Sequence, residues 1–163
     1  MDGEARCDVD RLSVGLADVE LAIAKARWAH DRWVTAAIRA AGGGSLSGAE
    51  VLILLAVCRA KRTALADVRL VLSFEHTHSV SYAVRKLCSA GLMSAEGTSH
   101  GKLLQISDMG AKVCSNYLAL WRDLVANSMN RVLPADAPLS ATADAIRLLS
   151  GLYAQAARSA ALL

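Results

Sequence analysis

The hydrophobic positions between residues 76 and 92 define the stretch around which the chain is organised. Val80, Val84 and Leu87 are spaced at i, i+4 and i+7, which predicts a helix with one apolar face. At about 3.6 residues per turn, polar side chains fall on the opposite face, namely His78, Tyr82, Arg85, Lys86 and Ser89. Gly91 stands where a helix commonly ends. The pattern therefore predicts an amphipathic helix over about residues 76–90.

Two short strands are predicted to follow this helix. Leu92–Glu96 and Lys102–Ser107 have the composition of strands, and Gly97 and Gly101 bound the segment between them. The sequence therefore predicts a β-hairpin directly after the amphipathic helix.

Two shorter helices are predicted before the amphipathic helix. Ser47 and Glu50 have the spacing of a capping box, which predicts a buried helix that runs to about Arg59. Ala60–Arg62 then form a short basic turn. The next helix is predicted over Thr63–Leu72, with its first residue as the cap. Helix, turn, helix and hairpin in this order are typical of a winged helix-turn-helix.

Long helices are predicted on both sides of this unit. The first, Val9–Ala40, ends at the glycine run 42–45, which we interpret as a flexible link. Its apolar residues recur every three or four positions: Val9, Leu12, Leu16, Val19, Ile23 and Ala26. The others are predicted from Ser107 to about Asn130 and over Leu139–Leu163, after two prolines. Helices of this length need partners beyond a small core, so we expect dimerisation through the first helix.

Composition and charge fit a folded chain with an anionic partner. The chain has 163 residues, of which 54% are hydrophobic and 20% charged, so one domain with helical extensions can bury a core. The net charge is +3, but residues 59–102 hold seven basic and three acidic residues, a local excess of +4. A basic segment that contains the amphipathic helix favours nucleic acid as the partner.

The cysteines, histidines and apolar runs exclude several other classes of protein. The four cysteines form no CxxC pair, which favours free thiols in a reducing cytoplasm. The longest strongly apolar run, Val51–Val57, is far shorter than the ~20 residues of a membrane span. His76 and His78 are two residues apart, whereas paired metal ligands on a helix usually sit four apart, so no metal is predicted. No P-loop, GxSxG or HExxH motif is present, so neither an enzyme nor a cofactor is predicted.

Four segments resemble the MarR-type family of bacterial transcription regulators. They are LSGAEVLILLAVC (Leu46–Cys58), ALADVRLVL (Ala64–Leu72), VSYAVRKLCSAGL (Val80–Leu92) and ISDMG (Ile106–Gly110). The resemblance covers roughly residues 32–126. It implies a mainly α fold with a small β-hairpin wing, that is, a winged helix-turn-helix with long N- and C-terminal dimerisation helices.

The resemblance also implies a division of the chain and a function. Residues 1–45 would form the N-terminal dimerisation helix and glycine link, residues 46–107 the DNA-binding lobe, and residues 108–163 the C-terminal dimerisation helices, all within one compact domain. The expected protein is a cytoplasmic homodimer that regulates transcription by binding double-stranded DNA. Its recognition helix, about residues 76–90, would lie in the major groove.

The candidate DNA-binding residues differ in what they can recognise. Arg85 can bind guanine through two hydrogen bonds, worth ~1–3 kcal/mol of discrimination, and Tyr82 can contact a base edge or phosphate. The alternative for both is an ordinary solvated helix face. Two further candidates, His78 and Ser79, lie near the helix start. The candidates for phosphate contacts, which position the protein without specifying sequence, are Arg62, Arg69, Lys86 and Lys102.

Other features leave alternatives open. The resemblance implies a pocket for a small aromatic effector, and the alternative is that the same residues fill a dimer core. These residues are Trp28, His30, Trp33, Tyr117 and Trp121. Cys88, near Lys86, is the candidate for a redox-sensitive thiol, against a purely structural cysteine. The expected wing has one firm cation, Lys102, whereas the family's wing commonly carries arginines. This departure keeps open a winged-helix adaptor that binds protein instead of DNA.

Overall fold

The computed structural model describes the backbone of residues 2–72, 77–98 and 101–162 and the side chains of residues 15–72, 80–97 and 101–162. The helices in these ranges are α1 (Asp2–Ala40), α2 (Gly48–Ala60), α3 (Leu65–Val71), α4 (Thr77–Ser89), α5 (Asp108–Leu120), α6 (Asn127–Val132) and α7 (Leu139–Ala160). The strands are β1 (Arg62–Ala64), β2 (Met93–Thr98) and β3 (Gly101–Ile106). Residues Trp121–Ala126 follow α5 with π-helical hydrogen bonding. The expected fold class, mainly α with a small antiparallel sheet, is confirmed.

The start of α2 is the predicted capping box. The Glu50 amide donates to Ser47 Oγ at 3.3 Å, and the Ser47 amide donates to Glu50 Oε2 at 2.7 Å. These two bonds satisfy amides that have no partner within the helix. Helix α2 therefore begins where the sequence predicts it.

The segment before α3 differs from the prediction. Residues 62–64 form a strand instead of completing a basic turn, and Thr63 pairs with Leu104 instead of capping a helix. The N-cap of α3 is Ala64, which makes no side-chain capping bond. The sheet has the order β1-β3-β2 with both pairings antiparallel, so the predicted hairpin is extended by a third strand.

A glycine turn ends α1, and a turn of the same kind, described below, ends α4. After α1, the Gly43 amide donates to Ile38 O at 2.9 Å, while the Gly42 amide donates to Arg39 O at 3.1 Å. This pair of bonds is a Schellman motif, and Gly42 supplies the positive φ of +90° that the motif requires. The glycine run that the sequence suggested as a flexible link thus includes a defined helix end.

One hydrophobic core joins the C-terminal part of α1 to α2, α4, α5 and the sheet. The predicted apolar face of α4 is confirmed, because Val80, Ala83, Val84 and Leu87 are all buried. Their largest fully buried companions are Val34, Ile38, Val51, Ile53, Leu54, Val57, Leu104 and Cys114. This core fixes α4 against the rest of the winged unit.

Apolar side chains earlier in α1 remain outside this core. Leu16 and Val19 of the predicted stripe are exposed and Ile23 is half-buried, whereas Val9 and Leu12 lie outside the described side chains. Such a row of exposed apolar residues is what a helix with a further partner presents. The dimer itself stays a prediction.

Residues Asp123–Leu163 form a separate compact unit. Pro134 and Pro138 bracket the loop between α6 and α7, as predicted. The exposed side chains of α7 include Ile146, Leu152 and Tyr153. No helix in the described ranges has the length and apolar character that crossing a membrane requires.

Candidate nucleic-acid interface

Helix α4 buries its apolar face and turns Tyr82 and Arg85 outward. At its C-terminal end, the Leu92 amide donates to Leu87 O at 3.0 Å and the Gly91 amide to Cys88 O at 2.9 Å. Gly91 has φ +69°, so this is a second Schellman motif, and the buried side chains of Leu87 and Leu92 are the pair that usually accompanies it. The predicted helix end at Gly91 is confirmed.

Tyr82 and Arg85 lie together on the outer surface of α4. Tyr82 is 61% exposed, and Arg85 is also exposed. Their separation of three residues places them on neighbouring positions of one helix face, so a single ligand can contact both. A phenol beside a guanidinium offers donors for base edges and phosphates on the same surface.

Lys86, unlike Tyr82 and Arg85, is only half-exposed and is paired with a carboxylate. Its Nζ donates to Glu50 Oε2 at 2.8 Å, and the side chain is 40% exposed. Glu50 itself is only 4% exposed. Burial alone would raise the pKa of Glu50, but the hydrogen bonds from Lys86 and from the Ser47 amide outweigh it and hold that pKa below its usual value. No local pattern in the sequence indicates this pair.

The remaining predicted DNA contacts are spread around the sheet and α3. Lys102 is exposed near the start of β3, and Arg69 is half-buried on α3. Arg62 lies on β1 with its Nη2 3.7 Å from Glu96 Oε2, and both side chains are mostly exposed. Such an exposed pair is worth about 0–1 kcal/mol, so Arg62 can exchange Glu96 for another anion at little cost. His78 and Ser79 lie outside the described side chains.

The base of the hairpin is tied to α5 through Ser107. Ser107 Oγ accepts from the Gly110 amide at 3.0 Å and donates to Gly91 O at 2.6 Å. The Ser107 amide donates to Leu92 O at 3.2 Å. Gly110 is buried so tightly that a Cβ there would lie 2.0 Å from Leu92 O. The end of α4, the start of the wing and the start of α5 therefore form one junction, of which the sequence indicated only the helix start at Ser107.

The aromatic residues proposed for an effector pocket are only partly together. Trp33 and Tyr117 share a hydrogen bond, and burial raises the pKa of the Tyr117 hydroxyl while Trp33 partly offsets this rise. Trp28, His30 and Trp121 are exposed. A groove of about 550 Å³ lies elsewhere, between α2, β1 and α3. The effector pocket stays a prediction.

Of the described cysteines, Cys114 is buried and Cys58 and Cys88 are half-buried. Burial raises the pKa of the Cys88 thiol, and the nearby charge of Lys102 only partly opposes this. Burial, together with a hydrogen bond to Cys58, raises the pKa of Cys114 to about 12. A raised pKa lowers the fraction of reactive thiolate, which weighs against redox sensing at Cys88. Within the described residues, no group of three or more His, Cys, Asp or Glu side chains is placed to hold a metal.

Comparison with known proteins agrees with this geometry. The family of winged helix DNA-binding domains matches residues 46–104, which span α2 to β3. A MarR family transcriptional regulator from Streptomyces coelicolor is 23% identical, with a TM-score of 0.64 over 85% of this chain and 96% of that one. The chain has the MarR-type winged helix fold. The resemblance seen in the sequence is thereby confirmed at the level of the fold.

Two further similar structures were determined on DNA. A mutant MarR from E. coli complexed with operator DNA is 18% identical, with a TM-score of 0.64 over 85% of this chain and 95% of that one. Reduced AbfR bound to DNA is 13% identical, with a TM-score of 0.63 over 90% of this chain and 99% of that one. No curated protein sequence matches the chain.

Proposed function

We propose that this protein is a DNA-binding transcription regulator, and that it acts as a homodimer with α4 of each protomer in the major groove. One observation carries the proposal: α4 buries its apolar face in the winged unit and leaves Tyr82 and Arg85 exposed side by side. A recognition helix must combine these two properties, because its fold-facing side fixes the orientation in which its outer side meets the base edges. The DNA-bound structures of the same fold support this reading.

The dimer is supported by the apolar residues that the protomer leaves exposed. Leu16 and Val19 of α1 are exposed, as are Ile146 and Leu152 of α7. A two-fold symmetric dimer would present two copies of α4 about one helical turn of DNA apart, which predicts an inverted repeat as the binding site.

The test is selection of bound duplexes from a random-sequence pool, followed by measurement with variants. The wild-type protein should recover an inverted repeat. Arg85→Ala should weaken binding to that duplex by roughly 5–150-fold per guanine contact, from ~1–3 kcal/mol, and should weaken binding to a scrambled duplex much less. The exposed Arg39 of α1 offers a matched control, and Arg39→Ala should leave both affinities unchanged.

Other outcomes of this experiment separate the competing roles. Equal losses on both duplexes would make Arg85 a phosphate contact. Failure of the wild-type protein to select any sequence would overturn the proposed function.

A protein-binding adaptor is the second candidate, and the weak positive charge of the wing favours it. In the described part of the hairpin, Lys102 is the one basic side chain, and Glu96 of the same hairpin lies opposite Arg62. An adaptor of this fold would show only salt-sensitive, sequence-independent binding in the selection experiment.

A further inference from the structure

We propose that Lys86 positions the recognition helix through Glu50 and does not serve as a phosphate contact. This inference rests on the proposed function, because its consequence is measured as DNA affinity. In this role Lys86 sets the orientation in which Tyr82 and Arg85 meet DNA.

The carboxylate that Lys86 meets is itself held in place. Glu50 Oε2 accepts the Ser47 amide at 2.7 Å as well as Lys86 Nζ at 2.8 Å. The first bond belongs to the capping box that starts α2, and Glu50 is 4% exposed. The ammonium group is therefore fixed relative to the first turn of α2, not merely paired with a mobile surface acid.

The direction of this bond matters because the contacts that bury the inner face of α4 are apolar. Val80, Val84 and Leu87 bury the helix, but hydrophobic contact has little directional preference. At about 100° per residue, Lys86 lies ~40° from Tyr82 around the helix, on the flank between the buried face and the outer one. A fixed hydrogen bond on this flank resists rotation of α4, and rotation would displace both Tyr82 and Arg85.

The same pair makes Lys86 a poor phosphate ligand. Its charge is already compensated by a carboxylate 2.8 Å away. Moving the ammonium group to a phosphate would leave Glu50 charged and nearly buried without its partner, which is unfavourable. The electrostatic part of DNA binding depends on cations that are free to replace counterions, and Lys86 does not meet this condition.

Glu50→Gln separates the two roles because they predict changes of opposite sign. Glutamine at this position still completes a capping box, so the start of α2 is retained while the charge is lost. If Lys86 positions α4, Glu50→Gln should weaken binding to the selected inverted repeat about tenfold or more, leave binding to a scrambled duplex nearly unchanged, and leave the salt slope unchanged. If Lys86 contacts phosphate, the same substitution frees the cation and should tighten binding with a steeper salt slope. That result would overturn the inference.

Variants of Lys86 provide the second arm. Lys86→Met should weaken binding to the inverted repeat as much as Glu50→Gln does, and the double variant should bind no more weakly than either single variant. Lys86→Arg should keep much of the wild-type affinity, because arginine can also donate to Glu50. A fall in the salt slope of about 0.9 per protomer in Lys86→Met would instead identify a phosphate contact. Lys112→Met, on an exposed part of α5, is the charge-matched control and should change nothing.

Two measurements distinguish failure of this inference from other failures. If the wild-type protein selects no DNA sequence, the proposed function fails and the role of Lys86 in it fails too. If an inverted repeat is recovered but Glu50→Gln steepens the salt slope, the inference about Lys86 alone fails. Circular dichroism of each variant establishes that it is folded, and the comparison of Lys86→Met with Lys86→Arg remains decisive should Glu50→Gln not fold.

Discussion

Replacing Gly110 by alanine tests the junction between α5 and the wing. The added Cβ would lie 2.0 Å from Leu92 O and 2.8 Å from Ile106 Cδ1. Ordinary contacts of a Cβ begin near 3.4 Å, so the carbonyl would have to retreat by about 1.4 Å from a distance of 2.0 Å. Side chains often adjust to such a clash, but Leu92 O belongs to the backbone.

The cost follows from what that movement breaks. Leu92 O accepts the Ser107 amide at 3.2 Å, so a shift of this size removes a hydrogen bond worth ~1 kcal/mol. Overfilling a packed site costs about 1–3 kcal/mol. Alanine recovers up to ~1 kcal/mol through its higher helix propensity. The free energy of unfolding should therefore fall by about 1–3 kcal/mol, and the Tm by roughly 2–12 °C.

The assay is urea unfolding followed by circular dichroism at one fixed protein concentration, since dimerisation would make stability concentration-dependent. Gly151→Ala is the matched control, because nothing lies within 4 Å of a Cβ at this position inside α7. It should raise stability by about 0.5–1 kcal/mol. The change from glycine to alanine is thus expected to lower the free energy of unfolding at residue 110 and to raise it at residue 151. A Gly110→Ala protein as stable as the wild type would refute the close packing of α5 against the wing.

Three further predictions follow from the described contacts. Ser107→Ala removes the α5 cap and the bond to Gly91 O, and should lower the free energy of unfolding by about 1–2 kcal/mol in the same assay. A change smaller than the experimental error would contradict a stabilising role of this cap. With its pKa raised to about 12, Cys114 should react slowly with iodoacetamide at pH 8 in the native protein, and a rate equal to that in urea would contradict its burial. The lowered pKa of Glu50 means that ionised Glu50 stabilises the fold above its usual pKa of 4.5 and loses this effect as the pH falls through the folded-state value. The stability difference between wild type and Glu50→Gln should therefore shrink below about pH 4.5, and a constant difference across acid titration would show that the pair with Lys86 adds nothing.

Local patterns in the sequence were sufficient for most elements. The capping box of Ser47 and Glu50 placed the start of α2, and Gly91 placed the end of α4. The apolar spacing of Val80, Val84 and Leu87 identified the buried face of α4. Each of these signals involves residues within about two turns of one another, which is the range over which helix periodicity and capping act.

Strand β1 could not be predicted in the same way. Its three residues pair with β3, whose partner residues follow some forty positions later in the chain, as in Thr63 with Leu104. A polar residue before an apolar helical pattern is also a normal helix cap, so Thr63 carried a plausible local explanation. Tertiary pairing decided between the two, because strand formation depends on the neighbouring strand more than on intrinsic propensity.

The charge available to DNA also depends on pairs of residues that are far apart in the chain. The count over residues 59–102 gave an excess of +4, but it treated Lys86 as available to DNA. Its partner Glu50 lies 36 residues earlier and outside that segment, so no count along the chain could pair them. Arg62 differs, because its exposed pair with Glu96 is weak and leaves Arg62 available to another anion. If Lys86 positions α4 as we propose, the number of basic residues in this segment overstates the charge that can displace counterions. The salt slope of DNA binding should then be set by fewer cations than the segment contains.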